Sequence, residues 1–217
     1  MGEDPLKRTK FVLSYYRLER GFDTGRVEIT LQNPPADAIY KRQNPALGAF
    51  VSDSLPAVGE LVHFENTYWT VAGVLRRLDP LDGMKDDPIQ WMSARVILLD
   101  HCLLLDEICP YLFVGLEDGL VGVIGYERVF RLLWPVRASG LFNWGYLGTG
   151  PWYLAEAILY HITGNKPEAS QQKSFTLDIL NPLLMNTPMV IRPKDIALWL
   201  EAQKKQTETE ESETEEE

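Results

Sequence analysis

The sequence predicts an α+β protein in two parts: a small SH3-like β-barrel unit over residues 11–106 and an α+β domain over 107–203. Three observations carry this. The first hundred residues alternate apolar and polar types in short runs broken by Pro, Gly and charge. The hydrophobic period switches from two to nearly four after Pro151. Beyond residue 203 the apolar content vanishes: the last eleven residues, from Thr207, hold seven Glu and no Lys or Arg.

Residues 1–10 read as a flexible lead-in. "KFVLSYYRL", from Lys10, is rich in aromatic and β-branched types, which favour strands. In "RVEITLQ", Val27, Ile29 and Leu31 face one side and Glu28 and Thr30 the other, a strand with one wet face. Pro34 and Pro35 stop it, and "LGAFVSD" is a further short strand. The run "VGELVHFENTYWTVAGVLRRLD" places two apolar stretches around Glu65-Asn66, as in a hairpin with a short turn. "PLDGMKDDPIQ" is a loop, and "SARVILLDHCLLL" a long buried strand. Several short strands at this spacing suggest a small barrel or curled sheet. Val58-Gly59-Glu60 followed by the Trp69 strand is similar in general pattern to small SH3-like barrels.

In the second part "YLFVGLEDGLVGVIG" is strand, turn, strand, with Glu117-Asp118-Gly119 at the turn, and "RVFRLLW" a third strand. Leu154, Ala157, Ile158 and His161 then share one helical face. Pro151 suits the first helical position, and Gly164 the C-cap. Ser174 caps a second helix through Phe175, Ile179 and Leu180, ending at Pro182. Pro193 opens a third, with Ile196, Trp199 and Leu200 on one face and Lys204-Lys205 at the negative end of its dipole. Past Gln206 the chain is expected to be disordered, since like charges without apolar residues cannot offset the entropy of ordering.

Composition narrows the function. The net charge is −10, but seven of those charges sit in the tail, so the other 206 residues carry only −3. No basic stripe exists for duplex nucleic acid. No apolar run is long enough to span a membrane, and "MGEDPLKRTK" has no apolar signal core. Lys7 stands where a myristoylation motif requires Ser or Thr. A cytoplasmic protein is expected. Cys102 and Cys109 lack the CxxC spacing, and His63, His101 and His161 are scattered, so no metal and no cofactor is expected.

The densest stretch is "SGLFNWGYLGTGPWYLAEAIL", from Ser139. It resembles the core of an uncharacterised domain family of bacteria, archaea and phages, whose members carry Trp-Gly-Tyr, then Gly-Ser-Gly-Pro, then a Leu- and Ala-rich helix. Phe142, Trp144-Gly145-Tyr146 and Gly148-Thr149-Gly150-Pro151 match, with Thr149 in place of Ser; Leu147 and Trp152 are bulkier than the family's usual residues. The resemblance runs from about Tyr111 to Leu200. It implies a bacterial or phage-related setting, and no activity.

Two readings of this corner stand side by side. A glycine turn feeding a helix can hold an anion, with Gly148 and Gly150 letting the backbone approach, Thr149 adding a hydroxyl, and Trp144, Tyr146, Trp152 and Tyr153 stacking a base or sugar. Yet no lysine completes a phosphate loop, Tyr153 stands where the dinucleotide fingerprint needs glycine, and Pro151 removes an N–H. The architectural reading explains more: Trp144 and Tyr146 end a strand and pack on the helix, and the glycines take backbone angles closed to other residues. Other chemistry is weaker. In Asp100-His101-Cys102 the histidine of a strand would point away from both neighbours. Asp79, Asp82, Asp86 and Asp87 lack the EF-hand spacing. No catalytic residue is assigned. The expected function is a non-enzymatic binding or adaptor protein that recognises a protein partner through Trp144–Tyr153. The alternative is a protein or enzyme that binds a nucleotide-like ligand at Gly148–Pro151, with Glu156 or Arg137 converging on Thr149.

Overall fold

A computed structural model describes residues 8–20, 27–32, 51–64, 67–80, 89–100, 111–117, 119–135 and 142–214. Both sheets and helices are present, and the chain divides into two compact units. The first is Met1–Leu103 with Glu127–Phe130; the second is Leu104–Tyr126 with Arg131–Glu217.

The first unit is a six-stranded sheet of β1 (Arg8–Arg20), β2 (Val27–Gln32), β3 (Val51–Ser52), β4 (Leu61–Phe64), β5 (Thr67–Pro80) and β6 (Ile89–Asp100). The order is β2-β1-β6-β5-β4, with β3 on β1. β1 and β6 pair in parallel from Arg8↔Ile89 to Leu18↔Leu99, and the other pairings are antiparallel. This central pair is buried on both faces: Phe11, Leu13 and Tyr15 on one, Val12, Tyr16 and Leu18 on the other. That is why "KFVLSYYRL" shows no clean alternation. β2, at the edge, keeps its alternation, with Val27 buried, Glu28 and Thr30 exposed, and Ile29 and Leu31 half-buried. The Phe64↔Thr67 register leaves Glu65-Asn66 as the link between β4 and β5, and those two residues lie outside the described ones.

The expected barrel is not found. Among the described strands the sheet runs as an open path from β2 to β4. A barrel of successive hairpins would pair neighbours in sequence; here the parallel β1–β6 pairing puts the first strand in the middle. His101, Cys102, Cys109, Asp82, Asp86 and Asp87 lie outside the described residues.

The second sheet, which belongs to the second unit except for Phe130, is built of β7 (Tyr111–Gly115), β8 (Val121–Gly125), β9 (Phe130–Leu132) and β10 (Met189–Ile191) in the order β10-β7-β8-β9. The helices of this unit are α1 (Thr149–Thr163), α2 (Ala169–Phe175) and α3 (Pro193–Thr214), with a π-helical segment, Thr176–Leu180, continuing α2. Phe113, Trp144, Leu154, Ile158, Phe175, Leu180, Ile196 and Trp199 form its core. Gly164 closes α1 in the left-handed region, its N–H donating to Tyr160 O at 2.8 Å, as the sequence predicts. α3 begins at Pro193 as expected; Arg192 grips Asp195 with two bonds of 2.8 and 2.6 Å.

Two helix boundaries differ from expectation. The second helix starts at Ala169, not beside Ser174, which lies within it. Starting earlier buries Gln172, whose Nε2 donates to Trp152 O at 2.8 Å; that packing outweighs a local capping signal. The π turn, with Asn181 N–H donating to Thr176 O at 2.9 Å, turns both Phe175 and Leu180 into the core. Second, α3 continues to Thr214, past the expected end of order at Gln206. No Gly or Pro interrupts 194–214, and Glu is a good helix former.

Candidate functional site

The corner is built from residues 142–148, which lead into α1, and 180–187, which follow the π turn. Three contacts lace them. Trp144 Nε1 donates to Thr187 O at 3.1 Å. Gly145 N–H donates to Leu180 O at 2.9 Å. The Gly145 backbone lies flat against residues 183–185: a Cβ there would stand 2.5 Å from Met185 N and 2.7 Å from Leu183 O, and φ is +81°. Glycine is therefore required at this position twice over, by angle and by space.

Trp144 and Tyr146 do not end a strand, contrary to expectation; the segment is an irregular run of bends. Trp144 is buried in the core at 1% exposure, and its backbone N–H donates to Asn143 Oδ1 at 2.8 Å. Tyr146 is half-buried and turns back over the glycines. A Cβ on Gly148 would lie 2.5 Å from its ring, and one on Gly150 would lie 3.0 Å from its hydroxyl and 2.9 Å from Asn143 Cβ. Gly148 has φ 178°, an extended angle open to any residue. So neither Gly148 nor Gly150 has the closed backbone angle expected of them. They are small because Tyr146 and Asn143 occupy the space beside them.

Gly148 is the N-cap of α1, and Trp152 N–H makes the first intrahelical bond, to Gly148 O at 3.1 Å. Pro151 is thus the third helical residue, not the first. It carries no N–H, so this helix end lacks one of the four donors that a helix N-terminus ordinarily offers. Thr149 is exposed and makes no capping bond. Trp152 and Tyr153 are half-buried, Tyr153 against the core. Glu156 is buried at 1% exposure among helix neighbours, with Lys166 Nζ 4.0 Å away, and Arg137 lies outside the described residues. The structure thus gathers Tyr146, Gly148 and Gly150, sends Trp144 inward and leaves Thr149 on the surface.

Three large apolar residues outside the candidate set are exposed as well. Leu147 is 61% exposed, Leu184 75% and Met185 52%, all on the two laced segments. A signal for them exists in the sequence: Ala138–Ala155 and Ile179–Ile191 contain no Asp, Glu, Lys or Arg in a chain that is 24% charged. Among the described residues no three His, Cys, Asp or Glu gather as a metal site, and no helix is long and apolar enough to cross a membrane.

Residues 125–202 match a family of unknown function (DUF6166). The match contains the whole corner, α1, α2, the π turn and the first part of α3, and starts later than the expected Tyr111. No curated protein and no solved structure matches the chain. The C-terminal region is therefore similar to an uncharacterised family.

Proposed function

We propose that the second unit is a non-enzymatic module that binds a protein partner through the charge-free face of residues 143–148 and 181–187. The observation that carries this is the coincidence of two uncharged segments with exposed Leu147, Leu184 and Met185. The buried centres of protein interfaces are depleted in charge and enriched in Met and aromatic residues. The bacterial or phage-related setting and a cytoplasmic location are part of the proposal and rest on the sequence pattern alone. The nucleotide-like reading loses support because Tyr146 and Asn143 fill the space beside Gly148 and Gly150.

The test is co-purification from the host, followed by native mass spectrometry. A stoichiometric protein retained by the wild type and reduced at least about tenfold by Leu184→Glu/Met185→Glu, with an unchanged circular dichroism spectrum, supports the proposal; a tenfold loss is about 1.4 kcal/mol of interface. Equal retention by the variant overturns it. A small-molecule adduct lost on Gly150→Leu would establish the ligand reading instead.

A further inference from the structure

The first unit holds a corner of a different kind. Between β3 and β4, residues 53–60 and the sheet face that carries Leu13 and Val96 enclose a cavity of about 280 Å³. Its floor is apolar: Leu13 and Val96 from the central strands, with Leu55 and Val62. Its polar groups are Tyr15, buried beside the floor, and Ser54, Glu60 and His63 on the exposed rim.

The rim is tied down along its length. Ser54 N–H donates to Ser52 Oγ at 3.2 Å, and Ala57 N–H to Glu60 Oε2 at 2.8 Å. Gly59 N–H donates to Val71 O at 2.8 Å, and Val71 N–H to Glu60 O at 2.9 Å. A loop anchored to β5 in this way keeps its distance from the floor. An apolar cavity with a few convergent polar groups is the usual form of a small-molecule site.

Charge selects the ligand class. Glu60 is the only acidic or Lys/Arg side chain among the described lining residues. Nearby cations are engaged elsewhere: Lys10 Nζ lies 3.5 Å from Asp53 Oδ1, and the Arg17 guanidinium lies over the Trp69 ring at 5.8 Å. His63 turns its ring toward Tyr68, 5.0 Å between centroids. Burial pushes the Tyr15 hydroxyl above its ordinary 10.0, so it remains a neutral donor or acceptor.

We propose that this cavity binds a small primary amine, its apolar body on Leu13, Leu55, Val62 and Val96 and its ammonium group against Glu60, with the Tyr15 and Ser54 hydroxyls beside it. A cavity of this size takes a body of roughly ten non-hydrogen atoms at protein packing density. The amine is a free metabolite or the amino terminus of a peptide that starts with an apolar residue; both present the same chemistry.

The test is an NMR titration of the full chain with phenethylamine at pH 6.8, where alkylamines and peptide amino termini are both protonated, and with phenylacetate as the anionic counterpart. The expected result is saturable shifts centred on Leu13, Leu55, Val62 and Val96, at least tenfold tighter for the amine. Glu60→Gln retains an acceptor for Ala57 N–H and removes the charge, and is expected to weaken phenethylamine at least tenfold. Ser54→Trp, on the exposed rim, is expected to block the cavity without touching Glu60, and serves if the Gln variant misfolds. No saturable shifts, equal affinity for phenylacetate, or unchanged binding in a folded Glu60→Gln or Ser54→Trp variant overturns the proposal. Tighter binding of the amidated tripeptide Phe-Gly-Gly than of phenethylamine assigns the site to a peptide terminus; weaker binding assigns it to a free amine, and both keep it an amine site.

Discussion

The corner at 142–150 and the loop at 52–60 both hinge on a left-handed glycine, and the two glycines answer different demands. Gly145 has φ +81° and backbone atoms of residues 183–185 within 2.8 Å of where a Cβ would be. Gly59 has φ +89° and nothing within 4 Å. The first corner is closed: two stretches of main chain touch, Trp144 is driven into the core, and Tyr146 fills the remaining space. The second is propped open by hydrogen bonds to β5 and keeps a cavity beneath it. A glycine-rich, aromatic-rich stretch is thus no sign of a ligand cradle by itself. What decides is whether the protein's own side chains already occupy the space.

Four measurements break or sharpen this contrast, and unfolding is best followed by amide NMR in urea so that each unit reports separately. The largest effect is expected from Trp144→Ala, which empties the closed corner and leaves the Thr187 carbonyl without its indole donor; a loss of about 3–5 kcal/mol from the second unit is expected. A loss under about 1 kcal/mol would mean that the corner is not core. Next, Gly145→Ala combines left-handed strain with a backbone clash that nothing flexible can relieve, and about 3 kcal/mol or more is expected. Gly59→Ala meets open space and carries only the strain, about 1–2 kcal/mol. Equal costs at the two glycines would erase the distinction between closed and propped corners. The smallest effect belongs to Thr149→Ala, within about 0.5 kcal/mol, because the side chain is exposed and caps nothing.

The open corner also has a signature in pH. Tyr15 is held neutral by burial, so its folded-state pKa lies above the 10.0 of the unfolded chain. As pH rises past 10 the unfolded chain ionises first, and the first unit loses stability until the folded phenol also ionises. Tyr15→Phe is expected to reduce that alkaline loss, read from urea midpoints at pH 8 and above 10. An identical alkaline loss in the variant would show that the hydroxyl is solvated.

Local signals in the sequence were legible where short-range forces decide. Gly164 ends α1 because the left-handed angle there suits glycine, and Pro193 starts α3 because its fixed φ suits a first turn. The alternation of Val27–Leu31 survives because β2 is an edge with one wet side. Ser174 misled because a capping preference, worth about 1 kcal/mol, competes with burial of a whole turn containing Gln172 and Phe175. The role of Tyr146 was not legible either: its ring lies beside Gly148 and its hydroxyl beside Gly150, a contact that no spacing in the sequence announces.

By itself the sequence determined the α+β class, the helix termini at Gly164 and Pro193, the hairpin link at residues 65–66 and the charge-free segments that flank the corner. All of these rest on interactions between residues close in the chain or on composition. Only the tertiary structure decided that β1 pairs in parallel with β6 and opens the expected barrel, that one glycine corner is filled, and that the other covers a cavity with Glu60 at its rim. Those outcomes depend on contacts between residues tens of positions apart, whose closure entropy and packing leave no periodic trace in the sequence.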